Sequence, residues 1–199
     1  MKAFLFLVPF LFTHQALALI EVRGTAGGAI IDSTHLNSTL TTHGIPNVYA
    51  IGVYGGDVLF TPPVIPLAFG IRYDYFNIRV GDDNSNNVAI RQTRFAALAS
   101  LRFFESLGTF VGLIGSLGFS HQSHLKMRVS QVDTVYDQAT VESSSGGLEI
   151  GFRIMPFLIG LEFGFQSYLA KDVKNSSNQQ GPDMNLSGFY TRGLAGLSF

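Results

Sequence analysis

Eight charged side chains stand out because they recur inside otherwise apolar stretches at even spacings. Arg72 and Asp74 are two apart, Glu149 and Arg153 four apart, and Arg94 and Arg102 eight apart; Glu162 and Arg192 sit alone among glycine, phenylalanine and leucine. Even spacing places such residues on one face of an extended chain. Arginines and carboxylates facing each other in a narrow lumen either pair as a salt-bridge plug or line an ion pathway. The plug is the favoured expectation. Each unpaired buried charge would cost several kcal/mol, and the lumen of a small barrel is only wide enough to be filled by side chains.

The histidines offer a second chemistry. His14, His35, His43, His121 and His124 match no standard zinc spacing. Without cysteine there is neither a thiolate metal site nor a disulfide framework, so no metal and no cofactor is expected. His121-Gln122-Ser123 places a base and a hydroxyl on one face of a strand, the pairing that activates a serine nucleophile. Its parity is that of Val111, Leu117 and Phe119. A polar rim where the strand leaves its apolar zone is the preferred reading, because a nucleophilic site needs a third, orienting member.

The elements that carry these residues read as strands. From Phe157 to Leu169, Phe157, Ile159, Leu161, Phe163 and Phe165 alternate with Gly160, Glu162, Gly164 and Gln166. The same period of two runs through 67–75, 94–103, 110–121 and 147–154. Eight segments result, roughly 20–32, 47–60, 66–80, 88–104, 108–125, 141–155, 157–171 and 186–199, the first two diluted by glycine and alanine. Long polar connections at 33–46, 81–87, 126–140 and 172–185 alternate with short ones at 61–65, 105–107 and 155–156.

Composition narrows the class. Of 199 residues only 14% are charged and 46% are hydrophobic, where soluble domains carry about 25% charge. The net charge of −1 leaves no electrostatic footprint for nucleic acid. No apolar run reaches the 18 residues a helical span requires. Residues 1–18 have the layout of a secretory signal peptide: Lys2, an apolar stretch from Ala3 to Phe12, and Ala16-Leu17-Ala18 as a small-x-small cleavage site. Residues 19–199 are then the mature domain.

The two faces of the strands choose the barrel. A soluble carrier would turn a face rich in Lys, Glu, Thr and Gln to water. Here the face opposite Phe, Leu and Ile is Gly, Ala and Ser with isolated Arg and Glu, as suits a crowded polar interior. The apolar face then meets lipid, and only a closed barrel lets strands cross hydrocarbon. The expected fold is all-β, an eight-stranded antiparallel up-and-down transmembrane β-barrel. Both termini are expected in the periplasm and the four long connections outside.

These features together resemble the small eight-stranded outer-membrane families, the OmpA transmembrane domain, OmpX and OmpW types, over the whole mature chain. The ending Arg192-Gly193-Leu194-Ala195-Gly196-Leu197-Ser198-Phe199 is similar to the barrel-assembly signal of those families. Arg192, Leu197 and Phe199 match it, while Leu194 stands where glycine is usual. The resemblance implies a Gram-negative outer-membrane location. It implies outer-membrane lipid, lipopolysaccharide and the barrel-assembly machinery as partners, with Leu197 and Phe199 read by that machinery. It also leaves two alternatives: a narrow channel of the OmpW type, or an enzyme like the lipid A deacylases, which carry a His-x-Ser on the lipid side. There His121 would be the base and Ser123 the nucleophile; His124 stands where that family has asparagine, and no glutamate lies at its spacing. The preferred reading is a structural or loop-binding barrel without catalysis, the ligand of the loops left open.

Overall fold

The computed structural model describes residues 19–63, 65–82 and 86–199. The signal peptide expected over 1–18 lies outside them. The strands are β1 (Leu19–Ile31), β2 (Ala50–Thr61), β3 (Leu67–Gly81), β4 (Asn87–Ser106), β5 (Thr109–Val129), β6 (Val132–Ile154), β7 (Phe157–Asn175), the two-residue β8 (Met184–Asn185) and β9 (Gly188–Ser198). One helix, α1 (Thr34–Thr42), follows β1. Each long strand pairs antiparallel with its neighbour in the chain, while β9 pairs β7 on one side and β1 on the other. The ladder from Glu21↔Ser198 to Ile31↔Gly188 closes a ring of eight strands. β8 pairs with β7. Closure leaves the ring without an unpaired edge at its seam.

The alternation read in the sequence becomes two surfaces of opposite polarity. Outside, every strand of the ring contributes apolar side chains: Val22, Phe60, Ile71, Phe95, Leu113, Ile150, Leu161 and Phe189 are all exposed. Phe157, Ile159 and Phe165 keep 60–64% of their surface open. Inside, arginines and carboxylates are buried. This inversion of the ordinary soluble pattern, where charges are almost never fully buried unless paired, is the main physical fact of the fold.

Three polar connections are more ordered than their composition suggests. The stretch 126–140, expected as a loop, is the end of a long hairpin: β5 runs to Val129 and β6 starts at Val132. Only Ser130 and Gln131 turn, both at positive φ (50° and 68°), as a two-residue hairpin of matching twist requires. The strands were hidden because apolar and polar residues mix on both faces of these tips, with Met127 and Tyr136 on one side and Val132 and Val135 elsewhere, so no clean alternation marks them. The connection 33–46 contains α1, whose Leu36 and Leu40 are fully buried. Within 172–185, β7 continues to Asn175 and β8 returns beside it.

The end of the barrel that bears α1 is filled with apolar side chains. Leu36, Leu40, Ile45 and Val48 pack onto Ile51, Phe76, Ile90, Leu125, Tyr168 and Met184 from the surrounding strands. The opposite half holds the charges, beside a small apolar patch of Leu59, Ala68, Leu98 and Ile114 on the β2–β5 wall.

Candidate functional site

All eight charged residues picked out by spacing lie inside the ring. Arg72, Asp74, Glu149 and Glu162 are 0% exposed, Arg94 1%, Arg192 2%, Arg102 5% and Arg153 9%. Four further members were missed in the sequence: Glu21, Arg23 and Asp57, all essentially buried, and Glu105 at the rim. Glu21 and Arg23 share the two-residue spacing of Arg72 and Asp74. Glycine and alanine dilute β1 and β2, so no apolar alternation framed them.

The twelve groups form one continuous chain of contacts along the lumen. Starting near the chain termini, Glu105 at the rim pairs with Arg153, and Arg153 with Glu21. Arg102 donates to both oxygens of Glu21 at 2.6 and 2.7 Å and approaches Glu149 at 3.4 Å. Arg23 joins Glu149 to Asp57, the latter at 2.8 Å. Arg72 is bound by two carboxylates at once: Nε and Nη2 donate to Asp57 at 2.8 and 2.9 Å, Nη1 and Nη2 to Glu162 at 2.8 and 2.6 Å. The Tyr190 hydroxyl donates to Glu162 at 2.7 Å. Arg192 donates to Asp74 at 2.8 Å, and Arg94 donates to the same carboxylate.

Six arginines thus face six carboxylates, and no lysine takes part. The planar guanidinium suits this better than an ammonium, because it donates in forks and stacks on rings. Arg102 lies 4.4 Å over Phe110 and Arg192 4.6 Å over Tyr190. Glu149 and Arg153, four apart on one face, do not bond each other. Glu149 serves Arg23 and Arg102, whereas Arg153 serves Glu21 and Glu105.

The His-x-Ser element is placed differently from its parity. Against β4 the register of β5 slips by one residue: Phe95 pairs with Ser120 and Ala96 with Gly118, so Phe119 is an extra, bulged residue. Beyond Phe119 the faces exchange. His121 and Ser123 therefore point inward, not to the apolar outside. His121 Nε2 is 2.8 Å from Ser143 Oγ on β6 and meets the Tyr168 ring edge-on. Ser123 accepts a hydrogen bond from Gln92. Gly118 makes room for the His–Ser contact: a Cβ there would lie 2.1 Å from Ser143 Oγ. His35 and His43 are exposed on α1 and at its C-terminal end.

At this same level the wall of the barrel is interrupted. The β5–β6 ladder runs from Thr109↔Phe152 to Leu117↔Ser144, stops, and resumes in the same register at Leu125↔Tyr136. Residues 118–124 and 137–143 face each other without ladder pairs. Both strands are bulged on their other sides, β5 at Phe119 and β6 between Tyr136 and Thr140. Bulges bend and twist a strand, which draws the two apart here. A cavity of about 420 Å³ occupies the breach, with Arg91, His121, Gln122, Ser123, His124 and Asp137 among its walls.

Leu197 and Phe199 lie at the closing seam. Leu197 is 39% exposed and pairs with Val22 and Phe157. Phe199 exchanges two backbone hydrogen bonds with Ile20, at 2.9 and 3.0 Å.

No protein-family model and no curated protein matches the sequence. Among solved structures the chain is similar to the crystal structure of Neisserial surface protein A (NspA), at 10% identity over 91% of this chain and 94% of that one, with a TM-score of 0.42.

Proposed function

We propose that the chain is an integral outer-membrane protein of a Gram-negative bacterium. It is a closed, plugged barrel whose work is structural or done by the surface structures at the α1 end. One observation carries this reading: a ring of eight strands that exposes Phe, Leu and Ile around its whole circumference and buries six arginines with five carboxylates. Apolar surface of that extent needs a hydrocarbon environment, and a closed ring meets the requirement that every backbone group in lipid be paired. The low charge of the chain and the signal-like residues 1–18 support the same location. In this reading the termini face the periplasm, and α1 and the β5–β6 hairpin face outward.

The filled interior weighs against the channel alternative, since ion pairs occupy one half and apolar side chains the other. The inward aim of His121 and Ser123 weighs against the deacylase alternative. Lipopolysaccharide and the assembly machinery remain the partners this function entails. The test is reconstitution: the folded chain should float with lipid vesicles and give no conductance steps in planar bilayers. A soluble monomer, or steady ohmic steps, would overturn the reading.

A further inference from the structure

The breach between β5 and β6 sits at a specific height. Along β4 and β5 the exposed apolar residues end at Phe95 and Phe119. The next outward positions are Thr93 paired with Gln122, and Arg91 paired with His124. The opening thus begins where the apolar belt stops, at the depth of lipid headgroups if the belt spans hydrocarbon. Its chemistry is mixed. Arg91 and His124 stand side by side on one wall, Asp137 on the other, and Gln122 and Ser123 supply hydrogen-bonding groups between them. The neighbouring cations Lys126 and Arg128 are engaged by Asp133, whereas none of the barrel's ion pairs described above uses Arg91 or His124. In place of the missing ladder, the His121–Ser143 contact is the side-chain bridge across the gap.

We infer that this breach binds a phosphate monoester on the headgroup of an outer-leaflet lipid, a dianionic group that the choline-capped phosphodiester of phosphatidylcholine lacks. The phosphate lies against Arg91 and His124, the headgroup's hydroxyl or amine groups against Asp137, and the acyl chains along the apolar belt below. A guanidinium forks onto phosphate oxygens with charge-assisted bonds, and a polar recess beside a lipid-facing wall admits a headgroup laterally while the tails stay in hydrocarbon. The inference rests on the membrane reading above and names a partner and a place within it.

The chain has no cysteine, so Thr140→Cys, on the exposed rim of the breach but outside its walls, can carry a single environment-sensitive fluorophore. The labelled barrel is reconstituted in phosphatidylcholine vesicles with increasing fractions of bis-phosphorylated lipid A, with dephosphorylated lipid A, or with inorganic phosphate in solution. A saturable fluorescence change is expected with phosphorylated lipid A alone. Arg91→Gln combined with His124→Gln should shift its half-saturation by about tenfold. Both side chains are exposed, so the variant should fold, as checked by heat-resistant gel mobility. An equal response to the dephosphorylated lipid, or an unshifted variant, would overturn the inference. Saturation by inorganic phosphate alone would overturn the lipid as its source. Failure of the parent barrel to float with the vesicles would instead overturn the membrane reading itself.

Discussion

Arg72 is the tightest node of the interior network, so its removal measures what the network contributes. Its guanidinium makes four hydrogen bonds of 2.6–2.9 Å to Asp57 and Glu162. Arg72→Met keeps much of the apolar stem and deletes all four. Asp57 is left with Arg23 at 2.8 Å; Glu162 is left with the Tyr190 hydroxyl and with Arg192 at 3.9 Å. Arg23 and Arg192 are already committed to Glu149 and Asp74, so one negative charge in the lumen goes uncompensated. Breaking a buried pair from one side costs about 3–5 kcal/mol, and that is the loss expected here. The assay is equilibrium urea unfolding of the barrel in lipid vesicles, followed by circular dichroism. The double variant Arg72→Met, Glu162→Gln removes the orphaned charge as well and should recover most of the loss, since the two sites are strongly coupled. A loss below about 1 kcal/mol for Arg72→Met would refute the reasoning. It would mean that water reaches the freed carboxylates and that the lumen is wet rather than plugged.

Other outcomes follow from the remaining parts of the barrel. Phe163→Arg on the lipid-facing side of β7 should destabilise the inserted barrel by about 2–4 kcal/mol if it lies near the midplane; no loss in the same unfolding assay would place that face in water. Leu36→Ala with Leu40→Ala removes the two buried anchors of α1, at about 2–5 kcal/mol each in a well-packed site. Limited proteolysis should then cut within 34–48 while the ring stays heat-resistant, and simultaneous loss of both would tie α1 to the stability of the whole barrel. Hydrogen bonds from Arg128 and then Lys126 hold the Asp133 carboxyl well below its ordinary range at the hairpin tip, beyond the apolar belt. A depressed folded pKa means stability that is present above the unfolded value and lost as pH falls through the folded one. The β5–β6 tip should therefore stay ordered through the usual carboxylate range and loosen only in stronger acid, as carbonyl-carbon NMR of Asp133 would show; a midpoint near the model-peptide value would contradict the pairing. Deleting Phe199 removes both backbone bonds to Ile20. It should lower membrane levels in cells more than it impairs refolding in detergent, and normal levels would leave Phe199 an ordinary exposed side chain.

Strand existence was legible where one face is bulky and the other small, as from Phe157 to Leu169. It was illegible where apolar and polar residues mix on both faces, as from Lys126 to Thr140, because a ladder of backbone hydrogen bonds has no side-chain signature of its own. The charged lumen was readable on β3, β4, β6, β7 and β9. It was lost on β1 and β2, where glycine and alanine leave Glu21, Arg23 and Asp57 without a frame. The orientation of His121 and Ser123 could not be read at all. Parity propagates along a strand only until a bulge resets it, and the bulge at Phe119 is defined by the register against β4, which the sequence does not display. The two leucines of α1, four apart within a run of Thr, Ser and Asn, were the available sign that the first loop folds back over the mouth.

The ion chain also has a consequence for the order of assembly. Its bonds join residues far apart in the chain: Arg153 to Glu21 across 132 positions, Arg23 to Glu149 across 126, and Arg192 to Asp74 across 118. None of these three pairs shares a hairpin, whereas Arg23–Asp57, Arg72–Asp57 and Arg94–Asp74 join neighbouring strands, so a growing sheet can complete only part of the network as strands are added one by one. A half-built sheet of β1 to β5 would lack Glu149, the second partner of Arg23 and Arg102, and Glu162, the second partner of Arg72, and would have no dry space to keep its charges. Contacts of such long range slow folding, and here part of the network must wait for the last strands. The charges stay hydrated until β9 meets β1, then lose water together. Closure of the ring and desolvation of its interior become a single event, and a barrel that fails to close is marked by exposed arginines rather than by a greasy core.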